Sequence, residues 1–460
     1  MSTCWSIILF CIPMKNALLQ IVYIFPWLAA IIIVPLPVSA HMPTTVKNAT
    51  LREGNPTGTK ERLIIPYAFS SETMGLTVGV GGLVKGYGQE QLMMAGTVFA
   101  SSDDLEGRDD AAGVIAGMWD LRVPYTQRLF LTATGSVGYY PRKRAYSAPA
   151  FIPGAVRPGS NNSDSDQYVE VGGTDNWSDF RLEYVLPIGA AEDQAMMTYE
   201  LKNGILTSAP TGGRQWNPVE SGVTNILLRQ YNRYQTYQLD PGDQERTIHP
   251  IQLGITYDNT DFPTNPSFGS RQFIGVTHDF GWLESDETWT FWEVGVAKFF
   301  SLGTSDWARQ RVLALDFWTG DTPSYGETLL PNGLIQVNSA PPYYEGANLG
   351  GFYRMRAYPF YRFNDRSVIF TAAEYRYTLR WNPIGEIRWL KFLKMDWMQL
   401  AGFVEGGRVA REYTFSALTS DWQADAGVGF RAMMAGAIVR FDVAASNEGM
   451  GFWFMAGQPF

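Results

Sequence analysis

The sequence predicts an all-β fold: a single 16-stranded antiparallel transmembrane β-barrel, preceded by a cleaved signal peptide. The chain of 460 residues is 14% aromatic and contains 46 glycines, yet its mean hydropathy is only -0.12. This average is too polar for a helical membrane protein, whereas a barrel exposes only alternate residues of each strand to lipid. Short alternating segments fill the chain, which stops on the aromatic residue Phe460. Such an ending is typical of outer-membrane barrels.

The N-terminal region predicts a secretory signal peptide over residues 1–40. An apolar run over residues 17–37 follows Lys15, and the small residues Val38-Ser39-Ala40 resemble a cleavage site. Residues 1–13 are interpreted as an upstream extension from a misplaced start codon. The alternative is an uncleaved signal anchor. Residues 41–60 are expected to form a short periplasmic lead-in, since about 50 residues are needed for a folded domain.

The composition excludes several classes of function. Both cysteines, Cys4 and Cys11, precede the predicted cleavage site, so the mature chain offers no disulfide and no thiolate chemistry. With 36 basic and 45 acidic residues, the charge balance argues against nucleic-acid binding. His41, His249 and His278 are too scattered to indicate a metal site or a catalytic triad. We therefore predict no enzyme activity, no cofactor and no metal.

Residues 61–460 are predicted to form the barrel. A tilted strand needs about 9–11 residues to cross the membrane, and most of the candidate segments meet this length. The long connections 140–176, 208–248 and 320–366 follow the fifth, seventh and eleventh segments, so all three are expected at the extracellular end. The sixteen segments are 62–69, 75–84, 90–101, 110–121, 127–139, 177–187, 194–207, 249–258, 269–280, 288–300, 309–319, 367–380, 396–406, 422–433, 436–445 and 450–460.

Alternation within the strands predicts which side chains face the lumen. In 367–380 one face carries Glu374 and Arg376, and the other carries residues such as Ile369 and Tyr375. In 437–444 the pair Arg440 and Asp442 shares one face with apolar neighbours. Charged residues are costly against lipid, so the charged faces should point inward.

Two further surface patterns each have two interpretations. The acidic run over residues 103–110 could bind divalent cations that bridge lipopolysaccharide, although a solvated loop is favoured. The aromatic residues around 289–300 could form a ligand-binding surface, but an aromatic girdle at the membrane interface is favoured. These aromatic residues are Trp289, Phe291, Trp292, Phe299 and Phe300.

The most specific motif lies in the long connection 320–366. There, Gly350-Gly351 precede the tetrad Met355-Arg356-Ala357-Tyr358. This pattern resembles the sixth-loop motif of the BamA/TamA superfamily of outer-membrane barrels, also called bacterial surface antigens. The segments 257–269, 402–407 and 426–460 resemble the same family. The resemblance implies that the loop folds back into the barrel, where Arg356 meets an acidic partner at the position of Glu405.

Two features depart from the family pattern. Ala357 occupies the position that is glycine in the family's tetrad. In addition, the lead-in leaves no room for the periplasmic POTRA domains of family members that assemble or secrete proteins. The chain is therefore expected to be a member without POTRA domains.

The resemblance implies a function in the bacterial cell outer membrane: insertion or translocation of polypeptides through a seam between the first and last strands. Pro66 removes a ladder donor from the first strand, and Gly451 and Gly457 weaken the last. Phe460 resembles the C-terminal recognition signal of such barrels. The expected partners are outer-membrane lipids and lipopolysaccharide, unfolded outer-membrane client proteins and a separate periplasmic protein. The alternative is a passive pore or structural barrel that handles no clients.

Overall fold

The computed structural model describes residues 46–52, 60–71, 75–102, 110–148, 150–213, 215–239 and 242–460. The predicted signal peptide, most of the lead-in and residues 103–109 of the acidic run lie outside these ranges. In the described part of the chain, no helix combines the length and the apolar character that a membrane crossing requires.

Within the residues that the structure describes, sixteen strands form one antiparallel sheet in which each strand pairs with the next along the chain. The pairing runs without interruption from the first strand to the last. The strands are β2 (Glu61–Ser71), β3 (Gly75–Lys85), β4 (Met93–Ser102), β5 (Ala112–Arg122), β6 (Leu129–Ala145), β8 (Val169–Val185), β11 (Val223–Tyr237), β13 (Ile251–Asp258), β14 (Gly269–Phe280), β15 (Thr288–Ser301), β16 (Ala308–Asp321), β21 (Ser367–Leu379), β22 (Met395–Ala410), β23 (Gln423–Met434), β24 (Ala437–Ala445) and β25 (Met450–Ala456).

Shorter elements lie in the connections between these strands. The short strands are β1 (Asn48–Arg52), β7 (Ala150–Phe151), β9 (Met197–Lys202), β10 (Ile205–Leu206), β12 (Gln244–Ile248), β17 (Gly326–Leu329), β18 (Ile335–Asn338), β19 (Asn348–Leu349) and β20 (Phe363–Asn364). Helical turns are α1 (Pro383–Glu386), α2 (Phe415–Thr419) and 3₁₀ segments at Gly189–Ala191 and Arg388–Leu393.

The sheet curves around an interior, and its two faces differ in chemistry. In β21, Glu374 and Arg376 are fully buried, whereas Tyr375 on the other face is exposed. In β24, Arg440 and Asp442 are buried in the same way. This is the alternation that the sequence predicted for both segments, and it places the charged side chains inside.

The predicted strand 194–207 is wrong. Residues 186–222 form a long connection, and within it β9 pairs with both β1 and β10 in a small separate sheet. The seventh strand is instead β11, which lies inside the region 208–248 that was predicted to be an extracellular loop. All of the other predicted segments overlap a strand of the large sheet.

Residues 46–52 and 186–222, together called the terminal plug, fill the end of the barrel at which β2 begins and β25 ends. Strand β1 pairs in parallel with β9, from Asn48 opposite Met197 to Arg52 opposite Leu201. The plug's buried residues share one hydrophobic cluster with inward side chains of distant strands, including Phe130 and Trp397. Apolar burial of this kind holds the plug across the interior.

Lys47 anchors the plug to the barrel wall. Its side chain is fully buried, and Nζ lies 2.8 Å from Asp120 Oδ1 and 2.6 Å from Glu183 Oε2. Burial disfavours the charged ammonium, but the two carboxylates outweigh this effect and raise the pKa of Lys47. The lysine is therefore charged and paired at neutral pH.

We predict that Lys47→Met loosens the plug, because it leaves the buried Glu183 without its ammonium partner. Removal of one member of a buried ion pair costs roughly 3–5 kcal/mol. Hydrogen exchange should therefore accelerate at the Met197 amide, which donates to the Lys47 carbonyl at 2.8 Å. Lys391→Met, at an exposed position, is the control, and equal exchange in both variants would contradict the prediction.

Candidate functional site in the barrel interior

The connection between β16 and β21, residues 322–366, is called the lumen loop because its second half lies inside the barrel. Gly350 and Gly351 both have a φ of +111°, a conformation that favours glycine. A Cβ atom on Gly350 would lie 2.1 Å from the carbonyl oxygen of Pro359. The Gly351 amide donates to the Tyr358 carbonyl at 3.1 Å, which closes the turn around the tetrad.

The backbone of the tetrad shows why Ala357 is accommodated. The left-handed conformation falls on Met355, at a φ of +58°, and not on Ala357. The Met355 side chain is fully buried in the main hydrophobic cluster. The Ala357 amide donates to Asp425 Oδ2 at 2.8 Å. A methyl side chain therefore imposes no backbone strain at position 357.

Arg356 lies at the centre of the site, with an exposed fraction of 0%. Its Nε donates to Glu405 Oε1 at 3.0 Å, and its backbone amide donates to Glu405 Oε2 at 2.7 Å. A terminal nitrogen donates to Asp442 Oδ2 at 2.8 Å. Both terminal nitrogens also lie 3.4 Å from Glu374 Oε2. The arginine thus contacts the expected acid, Glu405, and two further acids that the motif did not indicate.

These groups belong to a larger set, called the charge cluster, with equal numbers of basic and acidic side chains. Glu374 is also paired with Arg376 and Arg431, and Asp442 with Arg440. Every member is buried, so each charge requires an opposite charge nearby. The members are Arg356, Arg376, Arg431, Arg440, Glu374, Glu405, Asp425 and Asp442. Except for Arg356, they lie on the inward faces of β21–β24. The alternation of inward and outward residues along these strands is the sequence signal by which Glu374 and Asp442 could have been found.

A cation–π contact and two polar anchors support the loop. The Arg356 guanidinium carbon lies 3.3 Å from the ring centroid of Phe403. The Tyr358 hydroxyl donates to Asn447 Oδ1 at 2.9 Å. Arg362, which the sequence analysis did not select, pairs with Glu448 at 2.7 Å and is fully buried. The contacts of Tyr358 and Arg362 tie the loop to the connection between β24 and β25.

The last strand lies directly against the loop. Trp453 Nε1 donates to the Arg356 carbonyl at 2.6 Å. A Cβ atom on Gly451 would lie only 2.0 Å from that same carbonyl oxygen. Gly451 therefore permits close approach of the loop, a role different from the strand weakening expected of it.

The other residues assigned to the seam and C-terminus lie in three separate places. Pro66 is exposed in β2 and lies opposite Val80 in the ladder with β3. Gly457 has a φ of +85° and follows the end of β25. Phe460 was expected in the last strand, but the strand ends at Ala456 and the Phe460 ring stacks in the interior at 6.4 Å from Phe299. The Arg376 guanidinium also lies over this ring.

The two ends of the sheet meet through side chains, in a region called the seam. Leu63 and Ile65, on the buried face of β2, share a hydrophobic cluster with Met434 and Ala435. Met434 belongs to the face of β23 that carries exposed Val428, opposite buried Arg431. The buried face of β2 therefore overlaps the outer face of β23.

An ion pair and a small cavity complete the seam. Glu61 at the start of β2 pairs with Lys394 in the turn before β22. An almost wholly apolar cavity of about 80 Å³ lies between the two ends, lined by residues that include Leu83, Val439 and Phe454. The overlap is therefore held mainly by apolar contacts, which have no fixed direction.

The interpretation of the aromatic residues as one interfacial girdle is wrong for three of them. Trp289, Phe291 and Phe299 are buried and belong to the interior cluster. They share the inward face of β15 with Glu293, whereas Phe300 is exposed on the other face. The alternation of side chains along residues 288–300 was the available sequence signal, because it separates the inward-facing aromatic residues from the outward-facing ones.

Among the solved structures to which the chain is similar are one BamA chain and two CdiB chains. The chain is similar to BamA from Haemophilus ducreyi lacking POTRA domains 1-3, at 11% identity, over 96% of this chain and 77% of that one, with a TM-score of 0.44. It is similar to CdiB from Acinetobacter baumannii (11%, 86% and 59%, TM-score 0.46) and to CdiB from Escherichia coli (11%, 86% and 62%, TM-score 0.49). The chain thus spans less than two thirds of either CdiB chain. No protein-family model and no curated protein matches it.

We predict that Arg356→Ala releases the lumen loop, because three buried carboxylates lose their shared cation. The cost should be roughly 3–5 kcal/mol. Limited proteolysis of the folded barrel should then cut within residues 339–366 faster than in the parent. Arg354→Ala is the control, because the Arg354 side chain forms no ion pair among the described residues.

Glu405→Ala should reproduce the effect of Arg356→Ala. The double variant should lose less than the sum of the two single losses, since the residues contact each other directly. Strictly additive proteolysis rates would mean that the contact does not hold the loop.

Gly451→Ala should displace the loop from the last strand, because the new Cβ would overlap the Arg356 carbonyl. The displacement should change the fluorescence intensity of Trp453. It should also increase the rate at which a protease cuts the lumen loop. Gly402→Ala is the matched control: it is also a strand glycine, but a Cβ there meets no described atom within 4 Å. Equal behaviour of the two variants would contradict the steric argument.

Proposed function

We propose that the chain is a bacterial outer-membrane barrel, made with a cleaved signal peptide over residues 1–40, that helps to insert or translocate polypeptides. Its sheet closes through the seam, where the first strand β2 meets the end of the sheet that contains β23, β24 and β25. Client strands enter where the seam opens, and a separate periplasmic protein delivers them. The BamA/TamA-like motif at residues 350–358 and its interior position support this proposal.

Membrane embedding is supported by the outward faces of the strands. These faces carry exposed apolar side chains around the sheet, while the charge cluster lies inside. A soluble protein rarely exposes apolar surface so continuously. Examples on different strands are Val78, Val98, Ile274, Val404 and Val428.

The observation that carries the proposed mechanism is the apolar overlap at the seam. Backbone ladders pair strands through aligned hydrogen bonds, whereas Leu63, Ile65 and Met434 are held together by burial alone. Such a contact can slide or part without breaking a row of hydrogen bonds. Pro66 further lacks the N–H group that a ladder would use. A freed strand edge can pair with an incoming strand.

The second candidate is a structural barrel without client handling, and one observation favours it. The lumen loop and the terminal plug both occupy the interior. They leave little room for an open channel, so this candidate is a better alternative than a conducting pore. Conductance of the purified barrel in planar bilayers distinguishes a passive pore, which conducts ions, from a structural barrel, which does not.

We predict that locking the seam abolishes client insertion. Leu63→Cys and Met434→Cys both line the apolar cavity, so a short cleavable bis-maleimide reagent can join them. Joined barrels in proteoliposomes should lose most of their ability to speed the folding of a denatured outer-membrane barrel. Cleavage of the reagent should restore it.

The matched control joins Leu379→Cys to Met398→Cys, which lie in the same hydrophobic cluster but on the neighbouring strands β21 and β22. This pair should have no effect on folding of the client. If the unlocked barrel never accelerates client folding, the structural alternative replaces the proposal.

A further inference from the structure

We propose that a cavity beneath the lumen loop is a binding site for a small carboxylate-bearing solute that also carries a hydroxyl or ammonium group. The cavity, called the loop cavity, has a volume of about 80 Å³. One water-sized sphere needs about 10–15 Å³ by this measure, so the cavity has room for a ligand of several heavy atoms. The barrel wall contributes residues such as Arg229, Gln252, Trp289 and Trp318, and the loop contributes Tyr344, Glu345 and Arg354.

Three almost fully buried residues that line this cavity each carry a polar atom without a partner among the described residues. Trp289 is 1% exposed, Gln252 is 2% exposed and Tyr344 is 1% exposed. Trp289 Nε1, Gln252 Oε1 and the Tyr344 hydroxyl have no hydrogen-bond partner among the described residues. A buried polar group without a partner costs about 1–3 kcal/mol. Three such groups around one cavity indicate that its occupant is polar.

Arg354 supplies a positive charge at the cavity, and the carboxylates of Glu293 and Asp316 are near enough to act on it. Its guanidinium carbon lies 3.4 Å from the ring centroid of Trp318, and Trp318 Nε1 donates to Glu293 Oε2 at 2.8 Å. This stack fixes the plane of the guanidinium. Within the described ranges, its Nε has no acceptor and its side chain forms no ion pair. Arg356, two residues later, contacts three carboxylates, so the contrast is specific to position 354.

The hydrogen-bond donors at the cavity determine which acidic group of a ligand fits there. A planar guanidinium matches the two oxygens of a carboxylate, and Trp289 Nε1 adds a second donor direction. The aromatic side chains of Trp289, Phe291 and Trp318 line part of the cavity and lower the local dielectric constant, which strengthens a charged hydrogen bond. These features favour a carboxylate over a larger, more heavily charged phosphate in a cavity that also contains Glu293.

The hydrogen-bond acceptors at the cavity determine the second functional group of the ligand, which must be a donor. Gln252 Oε1 has no donor among the described residues, and Glu345 lines the same cavity. Burial raises the pKa of Glu345 to about 7, although Arg229 and Arg233 oppose the shift. An O–H or N–H group close to the carboxylate would satisfy these oxygens. Hydroxy acids and amino acids both have this arrangement.

The test uses the full-length folded barrel in detergent micelles and isothermal titration with sodium acetate, glycolate, glycine and inorganic phosphate at one ionic strength. We expect glycolate and glycine to bind more tightly than acetate, and phosphate to bind weakly or not at all. Arg354→Gln and Trp289→Phe should each weaken binding about tenfold or more, because each removes a hydrogen bond to a charged group. Arg246→Gln, which is 42% exposed at its side chain, is the control.

Arg354→Lys keeps the charge but loses the planar fork, so it should restore only part of the affinity. This variant and Arg354→Gln decide the question if Trp289→Phe fails to fold. Absence of saturable binding to any of the four probes would overturn the proposal, because the cavity would then hold only water. Equal binding by Arg354→Gln and the parent would also overturn it. The loop cavity is independent of the seam, so locking the seam should leave binding unchanged.

Discussion

The structure depends first on the buried guanidinium of Arg356 and its three carboxylate partners. A charge removed from water is costly unless opposite charges and hydrogen bonds surround it. The partners Glu374, Glu405 and Asp442 come from three different strands, so the arginine can be satisfied only when those strands are in register. The loop conformation, the inward faces of β21–β24 and the position of the last strand all follow from this requirement.

The two ends of the sheet are therefore held by different forces. The last strand, β25, is tied to the lumen loop by the Trp453 hydrogen bond and by the close approach at Gly451. The first strand, β2, meets the far end of the sheet through apolar side chains and one ion pair. Directional bonds to a buried loop restrict movement more than apolar contact does. If the seam opens, β2 should be the edge that moves and β25 the edge that stays.

The period-two pattern predicted most of the fold because lipid and interior impose opposite chemistry on successive residues. It failed at 194–207 because Met197, Tyr199 and Leu201 alternate as a barrel strand would, yet their buried face packs within the terminal plug. It missed β11 because residues 230–236 are largely polar on both faces. The Arg356–Glu405 contact was expected from a family motif, whereas Glu374 and Asp442 required knowledge of which inward residues meet in space.

Arg354, which is half-buried, and Arg356, which is fully buried, show two uses of a cation inside the barrel. Both arginines lie inside the barrel in the turn that follows Gly350 and Gly351. Arg356 donates hydrogen bonds to protein carboxylates. Arg354 stacks on Trp318, and its side chain donates no hydrogen bond to the described residues. The first arrangement is complete within the chain and fixes the loop. The second is incomplete within the chain, and the unpartnered atoms of Trp289, Gln252 and Tyr344 surround it. Arg354 is half-buried and forms no ion pair among the described residues, so a polar species beside it would be favourable, and this is the physical basis for assigning a ligand to the loop cavity and not to the charge cluster.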